Sequence, residues 1–462
     1  MAINKDDFEQ LEANIDAFDL RVDGIPIWER IRRIVYREIN QQKGDGQAHT
    51  NIDDGLNDYI EGVKLWTRNL FRRNPFFTET ADVMFVGHPR RKKEDDDYWW
   101  DIYCDPIHES CNFDAVHFEK PYLLQHRQPS KTENIRYLDL IHFSGTIQRK
   151  LGFHKVELSN NKRQKIEEIE QEIATHFGIQ VNIEDIIVDS LQKRRSLLWL
   201  YSQLLKRVKP EIVVVVVSYG KETIIEACKN QEIPVVELQH GVIHDRHFGY
   251  SYPGSRTKEM FPDYLFTFGD FWKDNVEFPI PNDRVLSVGY PYLEQTKRKY
   301  EDVQLKNQIL FISQGNIGKK LSKFALKVDQ HPEIKHEVVY KLHPGEYDRW
   351  MDEYPWLVDA DFEVVDNPNR QLYQLFAESK VQIGVGSTAI YEGLCFDLET
   401  YVYDCSGSDI LEPLVNHEVA NRISSINQLI PLLGKKEGDF NCEYFFSPNA
   451  SERICNAIES LL

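Results

Sequence analysis

The sequence predicts an α/β protein with two doubly wound parallel sheets and a helical N-terminal extension. From Asp82 onward, short apolar runs alternate with stretches of helical spacing, which is typical of parallel strands joined by crossover helices. The alternation stops at the turn Gly289-Tyr290-Pro291 and starts again at Ile309. Because open sheets of this kind bind ligands outside the carboxyl ends of their strands, we expect two domains that face a cleft.

Residues 1–78 are expected to form the helical extension. Apolar residues recur at helical spacing between Phe8 and Phe18 and again between Ile27 and Val35. Residues 41–56 lack such periodicity and contain three glycines, which predicts a loop.

Residues 63–77 combine large apolar side chains with lysine and arginine, the composition of a basic amphipathic helix. Two interpretations are open. The helix can pack against the domain behind it, or it can make peripheral contact with an anionic membrane surface. A liposome-binding assay distinguishes the two.

The first domain is expected over residues 79–290. Its strongest strand signal is Ile212–Val217, where five consecutive valines indicate burial on both faces. Further strands are predicted at Val83–Val86, Pro234–Leu238, Tyr264–Thr267 and Arg284–Val288, with helices at 162–177, 183–206, 222–229 and 271–276.

A linker is predicted over residues 291–307, because this stretch is rich in charge and poor in apolar residues. The second domain is expected over residues 308–462. Its strands are predicted at Ile309–Ser313, Glu337–Leu342, Val381–Gly384 and Thr400–Tyr403, with helices at 319–328, 346–353, 370–378, 388–395, 426–433 and 451–462.

Composition excludes several classes of function. The chain has 462 residues, and its 55 Lys+Arg against 74 Asp+Glu give a net charge of −19, so its surface repels nucleic acid. The longest aliphatic run, Ile212–Val217, is far shorter than the about 20 residues that cross a bilayer. The seven cysteines include no C-x-x-C pair, which argues against a disulfide framework and a cysteine zinc site. We therefore expect a cytoplasmic protein with no nucleic-acid partner.

In the second domain, Gly386, Ser387 and Thr388 lie between a predicted strand and a predicted helix. Backbone N–H groups at a helix start favour a phosphate, and the two hydroxyls add donors; an ordinary helix cap is the alternative. Glu392 lies one turn further on the face of Thr388, where it can accept hydrogen bonds from ribose hydroxyls or be structural.

Two other strand ends of this domain carry candidate ligand groups. His343 precedes Pro344, which restricts the segment and holds the ring at the strand end. There the histidine can donate to a phosphate, or it can be structural. Gln314 and Gly315 follow the first strand, where backbone amides can face a diphosphate.

In the first domain, His240 ends a predicted strand and precedes a glycine. The ordinary histidine pKa of about 6.5 suits a general base, while a buried and hydrogen-bonded ring is the alternative. Further candidates for contact with an acceptor are polar or aromatic residues of the same domain: His88, Arg90, His244, Tyr98 and Trp99.

Neither a metal nor a cofactor is expected. The histidines around His240 lack an H-E-x-x-H arrangement, and the acidic run Glu94–Asp97 is typical of a solvated loop. The chain has no G-x-G-x-x-G behind a strand, no P-loop and no G-x-S-x-G. These absences disfavour a dinucleotide oxidoreductase, a P-loop ATPase and an α/β hydrolase.

Four short motifs carry a resemblance to known families: LQHG, VGYP, KLHP and GSTAIYEG. Together they resemble the GT-B glycosyltransferases of surface-polysaccharide synthesis, in particular capsular polysaccharide synthesis proteins, CDP-glycerol glycerophosphotransferases and bacterial sialyl- and polysialyltransferases. The resemblance covers roughly residues 80–462. In the extension, IWERIRR resembles the W-x-x-x-R helix that often precedes such domains.

The resemblance implies two Rossmann-like domains and a metal-independent glycosyltransferase. In these families the HP histidine and the S-S/T hydroxyls bind the nucleotide of the donor, which implies that His343, Ser387 and Thr388 bind a CMP- or CDP-linked donor. The glycerophosphotransferases carry a histidine in a W-H-G-T turn that resembles a catalytic base. His240 is the matching residue, although its LQHGV turn lacks the tryptophan and the threonine.

We expect transfer of a sugar, or a sugar-like alcohol phosphate, from a nucleotide-activated donor to a hydroxyl of a glycan or lipid-linked glycan, as in capsule synthesis. One alternative is an isomerase similar to the UDP-N-acetylglucosamine 2-epimerases, whose S-G-G phosphate loop is replaced here by GST. Another is a non-catalytic glycan-assembly subunit. Epimerisation without an acceptor would identify the first, and a melting temperature that no nucleotide raises would favour the second.

Overall fold

The strands of the chain are short and alternate with helices along most of its length. The computed structural model describes residues 5–43, 56–245, 247–252, 256–315, 317–435 and 441–462. Its strands are β1 (Arg21–Val22), β2 (Ile25–Pro26), β3 (Val83–Val86), β4 (Lys92–Lys93), β5 (Trp99–Trp100), β6 (Ala115–Glu119), β7 (Ile135–Tyr137), β8 (Ile212–Val216), β9 (Val235–Leu238), β10 (Tyr264–Thr267), β11 (Val285–Ser287), β12 (Gln308–Ile312), β13 (Glu337–Lys341), β14 (Glu363–Val365), β15 (Val381–Gly384), β16 (Glu399–Tyr403) and β17 (Asn421–Ile423).

The helices follow the strands in alternation. They are α1 (Lys5–Asn14), α2 (Ile27–Gln42), α3 (Leu56–Asn69), α4 (Asp105–Ser110), α5 (Asp139–Lys150), α6 (Asn160–Phe177), α7 (Ile183–Val208), α8 (Glu222–Lys229), α9 (Asp270–Asp274), α10 (Pro291–Arg298), α11 (Gly318–Asp329), α12 (Trp350–Glu353), α13 (Leu372–Glu378), α14 (Thr388–Leu394), α15 (Glu412–Asn416), α16 (Ile426–Leu429), α17 (Cys442–Phe445) and α18 (Ala450–Glu459).

The first large sheet has seven parallel strands in the order β11-β10-β9-β8-β3-β6-β7. The second has six parallel strands in the order β14-β13-β12-β15-β16-β17. In each sheet the chain first adds strands on one side of its first strand and then adds the remaining strands on the other side. The order therefore reverses between β3 and β8 in the first sheet and between β12 and β15 in the second. These are the switch points at which doubly wound sheets bind ligands.

The valine run of β8 is buried on both faces, as its composition predicts. Ile212, Val214 and Val216 pack in one core layer with residues of α4 and α18. Val213 and Val215 pack in the opposite layer with residues of α5, α7 and α8. Helices thus cover both faces of the sheet, which confirms the predicted α/β class; the two Rossmann-like sheets along one chain give a GT-B-like fold.

The chain divides into two compact units. The first contains Met1–Thr267, Val276–Val288 and Ser451–Leu462, and the second contains Phe268–Asn275 and Gly289–Ala450. The terminal helix α18 therefore belongs mainly to the first unit and not to the second domain in which the sequence places it. Helical spacing reveals an apolar stripe, but it does not reveal which sheet covers that stripe. The first part of the expected linker is the helix α10.

The extension is helical as expected, and it shares a core with the first unit. Residues of α1 and α2 pack with Ile166 and Ile173 of α6 and Ile187 of α7. A short antiparallel hairpin, β1–β2, joins α1 to α2. Of the loop expected over residues 41–56, residues 44–55 lie outside the described part of the chain.

The W-x-x-x-R pattern of the extension has a structural explanation. Trp28 Nε1 donates to Glu12 Oε1 at 2.6 Å, and an Nη of Arg32 donates to Glu12 Oε2 at 2.8 Å. All three side chains are buried. Because Trp28 and Arg32 are four residues apart on α2, they lie on one face and reach the same carboxylate of α1.

Two disulfides show that the expectation of no disulfide framework was wrong. Cys111 bonds to Cys455 within the first unit, and Cys395 bonds to Cys442 within the second. The partners are 344 and 47 residues apart in sequence, so no local spacing pattern points to them. The cysteine count therefore no longer argues for a reducing compartment.

Reduction of these disulfides is expected to lower thermal stability. Each bond closes a long loop, and loss of such a bond typically costs about 2–5 kcal/mol because the unfolded chain gains freedom. For units of this size that loss lowers Tm by about 4 °C or more. The measurement is thermal unfolding with and without dithiothreitol, together with peptide mapping of alkylated thiols. Alkylation of all seven cysteines in the unfolded, unreduced protein would contradict the pairing.

Candidate functional site

The switch point of the six-stranded sheet places two predicted loops side by side. Residues 313–315 follow β12, and residues 385–388 follow β15. A Cβ atom at Gly386 would lie 2.8 Å from the carbonyl oxygen of Gly407 and 3.6 Å from Oε1 of Gln314. Glycine at position 386 therefore allows the close approach of the loop after β16, which carries Gly407, while the distance to Gln314 is an ordinary contact.

A buried carboxyl group ties the loops after β12 and β13 together. Glu346 is fully buried, and its Oε1 accepts hydrogen bonds from Ser313 Oγ at 3.1 Å and from the Tyr354 hydroxyl at 2.9 Å. Its Oε2 accepts from the backbone N–H of His343 at 2.8 Å. A Cβ atom at Gly318 would lie 2.3 Å from Oε1, so residue 318 must be glycine. Sequence reasoning missed Glu346, because it was taken as the first residue of a helix over 346–353 and not as a site residue.

Arg349 makes a second link between the same loops. Its Nε donates to the carbonyl oxygen of Gly345 at 3.0 Å, and one Nη donates to that of Gly315 at 3.0 Å. The predicted residues His343 and Gly315 therefore lie in loops that are held by two side chains that the sequence pattern did not single out, Glu346 and Arg349. Pro344, which follows His343, is exposed.

The hydrogen bonds of His343 define its neutral form. Its Nδ1 accepts from the backbone N–H of Gly345 at 3.1 Å. The neutral ring accordingly carries its proton on Nε2, a donor of the kind that binds a phosphate oxygen. The side chain is half-buried at the strand end.

Ser387 and Thr388 begin the helix α14. Ser387 Oγ accepts from the backbone N–H of Ala389 at 3.2 Å, so this oxygen caps the helix while its hydrogen is left to donate. Glu392 lies one turn beyond Thr388, and its carboxylate is hydrogen-bonded to the Tyr373 hydroxyl. Burial and then Glu392 raise the pKa of Tyr373, so the tyrosine is the donor. A role of Glu392 toward a ribose stays a prediction.

The carboxyl edge of the seven-stranded sheet carries a histidine–tyrosine cluster. His240 follows β9, and its Nε2 lies 3.2 Å from the hydroxyl of Tyr219, which follows β8. The Tyr103 hydroxyl donates to the carbonyl oxygen of His240 at 2.6 Å. The ring of His88, which follows β3, stacks on the ring of His240, with 6.4 Å between the two centroids. The fold therefore brings together His88 and His240, which lie 152 residues apart in sequence (240 − 88).

The surroundings of His240 keep its imidazole neutral. Burial lowers the pKa of His240 to about 3, and the charges of His88, His247 and Lys221 act in the same direction. A neutral ring can accept a proton, as a general base must, but a pKa this low makes it a weak base. Its Nδ1 is buried and has no hydrogen-bond partner among the described residues.

Two other predicted acceptor residues lie on the loops of this unit. Arg90 is exposed, and its guanidinium lies 3.3 Å from the hydroxyl of Tyr122. The ring of His244 packs edge-on against that of His247 at a centroid distance of 6.0 Å. Neither residue has a contact that defines a role, so both stay predictions.

Tyr98 and Trp99 belong to the hairpin of β4 and β5, which is separate from the seven-stranded sheet. The guanidinium of Arg127 covers one face of Trp99 at 4.9 Å. Tyr98 is more exposed, at 44%. An acceptor sugar could stack on Tyr98 more readily than on Trp99.

Three ionisable residues at the edge of the seven-stranded sheet were not predicted: Lys120, Lys221 and Glu237. Lys221 Nζ donates to the carbonyl oxygens of Val216 and Val217, at 2.5 and 2.8 Å. Glu237 is fully buried in β9, where a charged residue within an apolar strand was a signal that could have revealed it. Lys120 gave no such signal, because the strand β6 before it was not recognised.

One buried group in the described part of the chain has the residue types of a metal site. Ligand atoms of Asp101, Cys104 and His117 lie within 4.8 Å of one another. Hydrogen bonds already account for them, since Asp101 Oδ2 accepts from the His88 N–H at 2.8 Å and His117 Nδ1 lies 3.2 Å from His108 Nε2. We therefore assign no metal to this group.

Comparison with known proteins gives similarity in fold only. No protein-family model and no curated protein matches the chain. Among solved structures, UDP-GlcNAc 2-epimerase from Methanocaldococcus jannaschii is 10% identical, aligns 82% of this chain with 99% of its own, and has a TM-score of 0.49. UDP-GlcNAc 2-epimerase from Neisseria meningitidis is 12% identical, aligns 82% of this chain with 99% of its own, and has a TM-score of 0.46.

The wall teichoic acid polymerase TagF is 10% identical and aligns 93% of this chain with 97% of its own, at a TM-score of 0.44. Sequence identities and TM-scores this low do not assign an activity to this chain. We therefore base the fold assignment on the strand orders of the two sheets, and we base the proposed function on the side chains at their carboxyl edges.

Proposed function

We propose that the protein is a metal-independent glycosyltransferase that moves a sugar, or a sugar-like alcohol phosphate, from a nucleotide-activated donor to a glycan hydroxyl. The observation that carries this proposal is the switch point of the six-stranded sheet. There, the buried Glu346 holds the loops of Ser313 and His343, and the loop after the neighbouring strand β15 carries the hydroxyls of Ser387 and Thr388. Such a sheet edge suits a nucleotide diphosphate.

The proposed roles divide between the two units. In the second unit, Nε2–H of His343, the hydroxyls of Ser387 and Thr388, and the amides around Gly315 stabilise the leaving phosphate. In the first unit, His240 accepts the proton of the acceptor hydroxyl as the bond to the donor forms. We assign the donor as CMP- or CDP-linked on the resemblance of the HP and GST motifs alone.

An epimerase is the second candidate, because its phosphate-binding requirements are the same. The two functions differ in whether an acceptor is needed. Proton NMR of the full chain with CMP-, CDP-, UDP- and GDP-sugars, in the absence of any acceptor, tests this difference. The transferase proposal predicts no new epimer; formation of a C2 epimer without acceptor would overturn it.

We also propose that residues 63–77 make peripheral contact with an anionic membrane surface. No helix in the described ranges is long and apolar enough to span a bilayer. The helix α3 ends at Asn69, so the helix predicted over 63–77 covers only the first part of that stretch. Beyond its end, however, Phe71 and Phe77 are 84% and 69% exposed. Arg68 and Arg72 are exposed beside them and form no ion pair with any described residue, although the chain as a whole carries −19. Exposed phenylalanine next to unpaired arginine favours an anionic interface.

Flotation with lipid vesicles is expected to show this contact. The full chain should float with vesicles that contain phosphatidylglycerol and should stay at the bottom with neutral phosphatidylcholine. The Phe71→Ser/Phe77→Ser variant should lose flotation, because it removes the apolar anchor. Leu305→Ser/Met351→Ser, at similarly exposed apolar residues of the second unit, is the matched control. Absence of flotation of the unmodified chain at low salt would contradict the proposal.

A further inference from the structure

Three neighbouring strands of the seven-stranded sheet end in basic side chains. β6 and β8 flank β3 on its two sides, and all three run parallel. Lys120 directly follows β6, His88 lies two residues beyond β3, and Lys221 lies five residues beyond β8. Because the carboxyl ends of parallel strands share one edge, these residues lie together at the switch point of the sheet.

We infer that this edge is an oxyanion-binding subsite, in which Lys120 and Lys221 bind a phosphate or carboxylate group of the acceptor beside His240. The assignment to an acceptor rests on the proposed function. The presence of the subsite does not, because it follows from the side chains of the first unit.

Neither lysine forms a hydrogen bond or ion pair with a carboxylate among the described residues, although the charge of Glu222 acts on Lys120 and the charges of Glu237 and Asp101 act on Lys221. Lys120 is half-buried and makes no hydrogen bond or ion pair within the described part of the chain. Lys221 donates only to backbone carbonyls, those of Val216 and Val217. Burial and then the charge of Lys120 lower the pKa of Lys221 to about 7. Two ammonium groups at one sheet edge repel each other, and an oxyanion that accepts hydrogen bonds from both reduces that cost.

The carboxyl groups whose charges act on Lys221 bind other donors, except for one oxygen: Glu237 Oε2 is buried and has no hydrogen-bond partner among the described residues. Asp101 accepts hydrogen bonds from the backbone N–H groups of His88 at 2.8 Å and Tyr103 at 3.1 Å. Glu237 Oε1 accepts from the backbone N–H of Ser218 at 2.9 Å, and burial raises the pKa of Glu237. Neither carboxylate forms an ion pair with Lys120 or Lys221 among the described residues.

The turn after β8 has one feature that a ligand would explain. Ser218 is 1% exposed, and its side chain interacts with Glu237, whose pKa that interaction lowers. Val217 has a φ of 67°, which a β-branched residue rarely adopts. The two hydrogen bonds from Lys221 hold this turn in place. A strained backbone at such a turn is typical of a binding site.

An anion at this position would also change His240. The charges of His88 and Lys221 contribute to its lowered pKa, and a bound oxyanion offsets positive charge. The acceptor would thereby make His240 a stronger base when it binds. An anionic acceptor is thus better matched to this edge than a neutral one.

Labelling with pyridoxal 5′-phosphate tests the subsite on the full chain. The unprotonated lysine amine adds to the aldehyde, water leaves, and borohydride reduces the imine to a stable secondary amine that peptide mass mapping locates. We expect Lys120 or Lys221 to be labelled at least ten-fold more than the exposed Lys206. Inorganic phosphate or acetate should protect the site, and the stronger protector identifies the class of anion. Pyridoxal without its phosphate should label poorly.

Lys120→Gln should retain the fold, since Lys120 makes no bond, and should reduce labelling of Lys221 at least five-fold. Lys206→Gln is the matched control and should change nothing. Equal labelling by pyridoxal, or no protection by either anion, would overturn the subsite. Because the readout is residue-specific, it is independent of nucleotide binding: protected lysines without nucleotide binding would refute the transferase and keep the subsite.

Discussion

Replacement of His240 with alanine is expected to lower turnover by about 100-fold or more while nucleotide affinity stays within about two-fold. A positioned general base typically contributes about 10²–10⁴ in rate. His240 belongs to the first unit, and the residues proposed to bind the nucleotide belong to the second. Single-turnover release of the nucleotide in the presence of acceptor measures the first quantity, and calorimetry measures the second.

His176→Ala is the control for this experiment, because His176 is an exposed histidine of α6 in the same unit. It should retain turnover. A His240→Ala variant with near-normal turnover would remove His240 as the base. Loss of turnover together with loss of the fold, seen in the unfolding transition, would require the more conservative His240→Gln variant to separate chemistry from stability.

Replacement of Glu346 with alanine is expected to lower the free energy of unfolding of the second unit by about 3–5 kcal/mol and to weaken nucleotide binding at least ten-fold. The change leaves three donors without their acceptor: Ser313 Oγ–H, the Tyr354 hydroxyl and the His343 N–H. A buried donor left unsatisfied costs about 1–3 kcal/mol. Release of the His343 loop explains the loss of affinity.

Urea unfolding and calorimetric titration on the same preparation measure both effects. Asp352→Ala, at an exposed carboxylate of the neighbouring helix α12, is the matched control and should alter neither. Glu346→Gln keeps the shape of the side chain but must present an amide N–H to one of the donors. We therefore expect an intermediate loss of stability and of nucleotide affinity. Unchanged stability of Glu346→Ala would show that Glu346 does not hold the loops.

The fold class was predictable because each half of the chain repeats strong, simple signals. Ile212–Val217 and Ile309–Ser313 are apolar enough that burial on both faces is the only reasonable assignment. β6 was missed because His117 and Glu119 interrupt its apolar pattern, and only the fold provides their buried partners, such as Arg91. A polar residue inside a strand is explained by contacts distant in sequence, which a local pattern does not contain.

The candidate site was predictable in part, for a related reason. Loops at strand ends carry glycine, histidine and hydroxyl residues that stand out in the sequence, as His343 and Ser387 do. The side chains that hold those loops do not stand out, because a glutamate and an arginine on a polar segment resemble an exposed helix. Glu346 became recognisable only when its burial and its three hydrogen bonds were known.

Titration calorimetry with CMP, CDP, UDP and GDP tests the central claim most directly, namely that the carboxyl edge of the six-stranded sheet binds a nucleotide. The unmodified chain should bind at least one of the four. His343→Ala and the Ser387→Ala/Thr388→Ala pair should each weaken that binding at least ten-fold, since loss of a charge-assisted hydrogen bond to phosphate costs about 1.5–3 kcal/mol. Both variants should still fold, with a Tm lowered only by the loss of the caps that His343 and Ser387 provide. Binding of no nucleotide, or unchanged affinity in both variants, would contradict the claim.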